Sequence, residues 1–429
     1  MFLNPPDSAS KSSEKYSIQS KSTCNHTHPN VIIKVLVVLY QVLRLKLLFC
    51  SIVSILRNEL SKFSILYKVL KVERSIMEDI DVQVSYSPID VTLELTRECP
   101  LNCLICSSNG GKPHPLELSL DKWLKIIDKS IELGVKSFFL SGGEPFSRSY
   151  FKDICKYIAN KNVSLSIYTS GNFFDGRELG PIKYDDLIFI SSLDSVRLVF
   201  GLEGACARTH DLMTRVKGSF NNIISSIRTA VDLGLYTELH FVPTKMNYKE
   251  LPDVVSFAKK LGVKKVSVLR FVAQGRGKDN ESMLRLGKDD LINLRNILYE
   301  LSGYGDYVRI GSPFNPFLLS KGYKCTAGRK RMTIRYDGRV VPCEAMKFMA
   351  EDFNDNDVRI FSLRDIWQSS EIFKMARSYQ IAIGSECNSC DYLNICMGGC
   401  PAQKLLNGAL DAVDPYCSIR IGVLKIISI

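Results

Sequence analysis

Histidine is scarce in this chain, with five in 429 residues, so a metal site here cannot draw mainly on imidazole. Long apolar runs are missing too. The stretch from Val31 to Leu56 is rich in apolar residues, but Lys34 cuts its first run and Arg44 and Lys46 separate that run from the second. No uninterrupted span of about 18 residues, the length that crosses a bilayer, is left. No small-residue cleavage site follows the stretch, which argues against a sorting signal. A basic stripe is absent from the main body. The formal net charge is +11, yet residues 1 to 76 hold eleven Lys and Arg against four Asp and Glu. Most of the excess therefore lies in the first sixth of the chain, and nucleic acid is not an expected partner.

Cysteine is what the chain has in quantity. Ten of its fourteen cysteines form two spacing-constrained groups. The first is Cys99, Cys103 and Cys106, a C-x3-C-x2-C run within LTRECPLNCLICSSNGG. The second is Cys325 and Cys343, followed by Cys387, Cys390, Cys396, Cys400 and Cys417. Thiolates in this number select soft metals, and the choice lies between tetrahedral zinc and iron–sulfur clusters. Three thiolates without a fourth partner favour a [4Fe–4S] cube, which then keeps one iron open for an outside ligand. Such thiolates need a reducing compartment, so the expected location is cytoplasmic and a secreted disulfide scaffold is excluded. Cys24, Cys50, Cys155 and Cys206 fit neither group, and Cys155 lies in a helical pattern that places it in the core.

A chain of this length, 45% hydrophobic, can bury one large domain and a smaller one. Residues 1 to 30 are polar and read as disordered. Residues 1 to 76 as a whole read as a basic, partly apolar extension. Either it is dispensable, with Met77 as the translation start, or Val31 to Leu56 forms a helix on a membrane surface. From residue 88 onward, six short apolar runs alternate with helical patterns: 91–95, 136–140, 163–168, 195–200, 236–242 and 264–269. Gly134, Gly234 and Gly262 close the intervening helices, where a left-handed residue is needed. Repeats of this kind imply an α/β fold, a parallel sheet curled into a partial (β/α)6 TIM-like barrel. Sites in such sheets form at the carboxyl ends of the strands. Cys99 lies just past the first strand and Gly142 just past the second, which puts both on one rim.

C-x3-C-x2-C after the first strand and LSGGEPF at 140–146 after the second resemble the radical S-adenosylmethionine enzymes. The second cysteine group resembles the SPASM extension of sulfatase-maturing enzymes and ribosomal-peptide maturases. The resemblance covers about residues 88 to 420. It implies a radical SAM barrel over 85–280, a helical linker over 281–320 and a small cysteine-rich SPASM domain over 321–429. Its cofactors would be S-adenosylmethionine and three [4Fe–4S] clusters. Cys99, Cys103 and Cys106 would hold the cluster that cleaves S-adenosylmethionine to a 5'-deoxyadenosyl radical. Gly142, Gly143, Glu144 and Pro145 would hold the methionine end, with Glu144 as the partner of its ammonium group. Ser170 would be a hydroxyl contact to the cofactor and Arg270 a partner of its carboxylate.

The chain departs from the family pattern in several places. After the fourth strand it reads FGLEGACARTHD, so Gly201 stands for the usual serine and Glu203 for the usual aspartate; Glu203 would accept from the ribose hydroxyls. His210 and Asp211 match a frequent family pair with either a catalytic or a hydrogen-bonding role. Ile105 replaces an aromatic residue before the last cysteine, which removes a ring from the adenine's surroundings. By resemblance, Cys325, Cys343 and Cys400 hold a first auxiliary cluster and Cys387, Cys390, Cys396 and Cys417 a second. An Asp337-Gly338 turn would present Cys343 beside Cys325. The cysteine that full members carry before the position of Cys325 is missing, so the first auxiliary cluster would have an open or non-cysteine-ligated iron. The activity implied is modification of a peptide or protein side chain, by a thioether or other cross-link or by oxidation. The alternative is an enzyme acting on a small molecule such as a tetrapyrrole or quinone precursor. Either needs an electron donor such as ferredoxin or flavodoxin.

Overall fold

The computed structural model describes residues 87–311, 314–319, 325–379, 387–408 and 411–422. The chain divides into two units, Met1–Val84 and Ser85–Ile429. The expectations for residues 1 to 76, including the start at Met77 and the membrane-surface helix, lie outside the described residues. Among the described residues no helix is long and apolar enough to cross a membrane.

The six expected strands are present as β1 (Asp90–Glu94), β2 (Ser137–Ser141), β3 (Ser164–Thr169), β6 (Val196–Gly201), β7 (Tyr236–Phe241) and β8 (Lys265–Val268). They pair in parallel in that order. A short antiparallel hairpin, β4 (Asn172–Phe174) with β5 (Leu179–Pro181), stands apart from them. The helices between strands form for the expected reason. In Leu120–Glu132, Trp123, Ile126 and Ile127 fall on one buried face, Asp121 lies in the first turn and Lys129 in the last, which suits the helix dipole. Gly134, Gly234 and Gly262 end three of these helices at φ of +103°, +75° and +80°.

Three strands extend the sheet beyond the expected six. Residues 281–320 are not purely helical, because β9 (Val308–Ile310) pairs in parallel with β8. The C-terminal region supplies β10 (Arg331–Ile334), parallel to β1, and β11 (Val340–Val341), antiparallel to β10. The order is β11-β10-β1-β2-β3-β6-β7-β8-β9. Among the described residues its two ends do not pair with each other, so the barrel is partial. The C-terminal region is thus joined to the barrel by backbone hydrogen bonds as well as by chain connection.

The two faces of this sheet differ sharply. Val91, Leu93, Phe138, Leu140, Ile167, Leu198, Leu239, Phe241, Met332 and Ile334 are buried on the helix side, each contributing about 1.5–3 kcal/mol of transfer free energy. The alternate positions carry Thr92, Glu94, Phe139, Tyr168, Glu238, His240, Ser267, Arg309 and Arg331. Side chains from strands two apart in the order meet on this second face, and Tyr168 of β3 feels the charges of both Arg331 on β10 and Arg309 on β9. The Tyr168 ring lies 5.2 Å from His240, and the Arg331 guanidinium lies 5.8 Å from the centre of the Phe139 ring. This face is therefore concave, and it forms a polar and aromatic lumen.

Candidate active site

After β1 the chain enters a loop whose base is closed by backbone bonds from Cys99 to Gly111 (2.9 Å) and from Gly111 to Arg97 (2.8 Å). The turn after β2 packs directly on this loop. Gly143 N–H donates to Thr96 O and Glu144 N–H to Glu98 O, both at 2.6 Å. A Cβ at Gly142 would lie 2.4 Å from Thr96 O, and one at Gly143 only 2.0 Å from Glu98 O, so no larger residue fits at either position. The two motifs do share one rim. Their glycines serve first to bring two loops of the protein backbone together.

Glu144 is fully buried. Its carboxylate accepts from Thr169 Oγ1 (2.8 Å), Ser170 Oγ (2.6 Å) and Ser170 N (2.8 Å). Burial pushes this carboxyl up to about 7 against the opposing pull of those hydrogen bonds. Ser170, expected at the cofactor, donates its hydroxyl to Glu144, and Pro145 opens the short 3-10 turn Pro145–Ser147 that aims the Glu144 side chain inward. The Ser170 hydroxyl therefore holds Glu144 in place.

The three thiols of the loop are crowded and poorly solvated. Burial, followed by the charge of Glu144, pushes Cys99 up to about 12. Burial and then the neighbouring Cys99, Cys106 and Glu203 push Cys103 well above its ordinary value. Adjacent thiols, of which Cys99 and Cys103 are held from ionising by burial and by neighbouring thiols, suit a positively charged group that takes all three as thiolates. An iron–sulfur cube fits that description. Glu203 lies close by. Its Oε2 is buried and has no hydrogen-bond partner among the described residues, and burial pushes the carboxyl up to about 8. An orphaned buried acceptor beside the cluster loop fits a ligand that brings hydroxyl or amine donors.

His210 is fully buried and accepts the Glu203 N–H at Nδ1 (3.1 Å). Burial lowers it to about 4, so the ring is neutral and carries its proton on Nε2. Asp211 accepts from Gly218 N, Ser219 Oγ and Phe220 N at 2.6–3.0 Å, capping the helix Ser219–Asp232. In these contacts His210 holds the Glu203 backbone and Asp211 holds the start of that helix. Ile105 packs against a small apolar cluster containing Leu104, Met213 and Phe271.

Arg270 requires a correction. It had been expected at the cofactor carboxylate, but its guanidinium forms a two-point ion pair with Asp414 (3.0 and 2.6 Å) and lies 3.8 Å from the centre of the Tyr416 ring. A bidentate partner satisfies the planar donor fork, so this side chain ties β8 to the C-terminal region. One cation found at the cysteine loop is Arg276, whose Nε donates to Cys103 O at 3.1 Å and whose Nη1 donates to Gly110 O.

Among the C-terminal cysteines, Cys325, Cys343 and Cys400 are neighbours of one another. Asp337 and Gly338 (φ +89°) turn the chain between β10 and β11, bringing Cys343 to Cys325 and Cys400. Burial, then Glu344 and these two thiols, raise Cys343, and burial pushes Cys400 up to about 12. Cys387, Cys390, Cys396 and Cys417 line one cavity with Leu319, Tyr392 and Val413. Gly399 permits this arrangement, since a Cβ there would lie 2.5 Å from Asp414. Cys155 is buried in the core among Ile154 and Ile158, as its helical pattern indicated.

Sequence reasoning missed Lys347. This residue, 7% exposed, pairs with Glu94 at 2.5 Å and also donates to Ser107 and Ser108, directly after Cys106. Nothing in the local sequence marks it. The lumen residues Glu94, Glu238 and His240 could have been found from the alternation in VTLEL and YTELHF, which departs from the continuous apolar pattern of a parallel strand buried on both faces.

The model of the radical SAM superfamily matches residues 93–258, and that of the SPASM iron–sulfur cluster-binding domain matches residues 325–391. The mycofactocin maturase MftC of Mycolicibacterium smegmatis is 30% identical over 344 residues, which cover 77% of this chain and 83% of that protein. A PqqA peptide cyclase of Methylobacterium nodulans is 30% identical over 346 residues, covering 78% and 86%. Among solved structures, Streptococcus suis SuiB bound to its precursor peptide SuiA superposes with a TM-score of 0.63 at 18% identity, covering 82% of this chain and 81% of that one; this likeness is one of fold. The chain belongs to the radical SAM enzymes that carry a SPASM domain, with S-adenosylmethionine, a [4Fe–4S] cluster and auxiliary iron–sulfur clusters as its cofactors.

Proposed function

We propose that this enzyme modifies a side chain of a peptide or protein held in the barrel lumen. Cys99, Cys103 and Cys106 would hold the radical cluster, and the Gly142–Pro145 turn would hold the methionine end of S-adenosylmethionine. Glu203 takes the ribose hydroxyls. Cys325, Cys343 and Cys400 hold one auxiliary cluster, while Cys387, Cys390, Cys396 and Cys417 hold the other. When bound, these groups supply a 5'-deoxyadenosyl radical for hydrogen abstraction and an acceptor for the electron left on the substrate. The protein positions the reacting carbon and excludes water. The domain limits 85–280, 281–320 and 321–429 serve as working boundaries, with β9 to β11 crossing them to complete the sheet. A cytoplasmic location and a ferredoxin or flavodoxin donor complete the reading.

The observation that carries this reading is where the lumen lies. Glu94 joins it to Ser108 of the cysteine loop (2.8 Å), and Thr92 joins it to Glu344 beside Cys343 (2.5 Å). A side chain in the lumen is thus flanked by the first cysteine loop and by the Cys343 site. Relatives named for peptide maturation and peptide cyclisation, together with a fold neighbour bound to a precursor peptide, support a peptide over a small molecule. The test is to incubate reconstituted enzyme with S-adenosylmethionine, dithionite and each short peptide encoded beside its gene. A mass change in one peptide, matched by 5'-deoxyadenosine, is expected. Conversion of a tetrapyrrole or quinone precursor, with every peptide unchanged, would defeat the reading.

Glu203→Gln separates binding from stability. A lost charge-assisted contact costs about 1.5–3 kcal/mol, so at about pH 9, where the wild-type carboxyl is ionised, S-adenosylmethionine should bind at least about tenfold more weakly by calorimetry, with cluster content intact. The cofactor-free protein should respond in the opposite direction. The folded-state value of Glu203, about 8, lies above the ordinary 4.5, so the wild type loses stability as pH rises through that window. The variant avoids this loss: it should melt higher than wild type at about pH 9, and the gap should close toward about pH 4.5. Unchanged affinity would return Glu203 to the role of an ordinary loop carboxylate.

A further inference from the structure

Two side chains distant in sequence join the turn that follows Cys343 to the loop that holds Cys99, Cys103 and Cys106. One is Gln274, 3% exposed. Its amide donates to Glu344 O (2.6 Å) and accepts from Phe348 N (3.2 Å), gripping the turn Glu344–Asp352 at two points. The residues after it lie on the cysteine loop. Gly275, at φ +55°, passes so close that a Cβ would sit 2.7 Å from Cys106 O, and Arg276 donates to Cys103 O and Gly110 O, on either side of Cys106. The second is Lys347, on the same turn, whose ammonium reaches Ser107 (3.2 Å), Ser108 (2.6 Å) and Glu94 (2.5 Å).

The geometry points to Gln274 and Lys347 as positioning residues that set the shape of the radical-cluster loop according to whether the Cys325–Cys343–Cys400 site is filled. Filling that site fixes Cys343 and hence the turn beginning at Glu344. Both bridges arise from this turn, and both end on residues next to Cys106. The contacts are buried and directional, so a shift of the turn cannot be absorbed without moving the loop or leaving polar groups unpaired. An empty auxiliary site would then give a radical cluster that is present but poorly shaped for its cofactor, which guards against radical formation in an incompletely assembled enzyme.

The inference rests on the assignment of both cysteine sets as cluster ligands, and the test keeps the two claims apart. The anaerobically reconstituted enzyme is reduced with dithionite, and its electron paramagnetic resonance spectrum is recorded with and without S-adenosylmethionine. The signal that changes with the cofactor reports the radical cluster alone. Cys343→Ser should lower the iron content, alter the g-values of that signal and reduce 5'-deoxyadenosine formation several-fold. The triple variant Q274M/E94Q/K347M cuts both bridges without leaving a buried unpaired charge, and adding C343S to it should change the signal no further. Should the triple variant fail to fold, Q274M alone should already shrink the effect of C343S. An unaltered radical-cluster signal in C343S, or a C343S effect of full size after the bridges are cut, overturns the inference. Unchanged iron in C343S removes the ligand assignment and the inference with it.

Discussion

Replacing Cys103 by alanine is expected to abolish formation of 5'-deoxyadenosine from S-adenosylmethionine under dithionite. The Cys103 thiol is raised by burial and by both of its neighbours. Its loss leaves Cys99 and Cys106, which are too few to hold a cube with one open iron. The fold should survive, because the loop is pinned by backbone bonds such as Leu104 N–H to Met213 O (2.8 Å) and the sheet core lies on the opposite face. Circular dichroism and auxiliary iron should therefore match the wild type while cofactor cleavage falls to background. Cleavage at the wild-type rate by this variant would mean that the radical site lies elsewhere.

The second large effect concerns the auxiliary set around Cys387. Three cubes carry about twelve iron atoms, and the double variant C387A/C390A should carry about eight. Cys387 and Cys390 line one cavity with Cys396 and Cys417, so losing two of four ligands empties that site alone. Cofactor cleavage should continue in the variant, uncoupled from product, because the radical loop keeps its own three thiols. Modified peptide should disappear. Iron unchanged by the double substitution, or zinc in that cavity after anaerobic purification, would remove the second auxiliary cluster from the enzyme.

Much of the architecture was legible because local chemistry dictates it. The six strand–helix repeats follow from apolar runs and glycine stops, and the observed strands match the expected ones to within a residue or two at each end. The Asp337-Gly338 hairpin follows from the one pair of residues that can turn there. Arg270 shows the limit of such reading. Its position after β8 gives the rim correctly, but the partner that claims it, Asp414, is 144 residues away, and no local pattern announces a contact across that distance. Ser170 is similar: a hydroxyl at a strand end suggests ligand binding, and only the packing of β3 against the Gly142–Pro145 turn shows that Glu144 already takes it.

By itself, the sequence determined the chemistry of this protein. Cysteine number, set against a shortage of histidine, selects a thiolate-bound soft metal, because ligand softness is a property of the residues whatever their surroundings, and three thiolates without a fourth partner favour an iron–sulfur cube over zinc. It also determined that a parallel sheet would carry the first cysteine loop and the glycine turn on one rim, since side-chain period and helix stops are local. Only the tertiary structure decided which cysteines stand together at the C-terminal end, what Arg270 and Glu144 are paired with, and that Gln274 and Lys347 join the two cluster regions. It alone decided that β9, β10 and β11 complete the sheet. These are meetings of residues far apart in the chain, set by buried ion pairs, close backbone approach and strand register, and each depends on a fold that already exists.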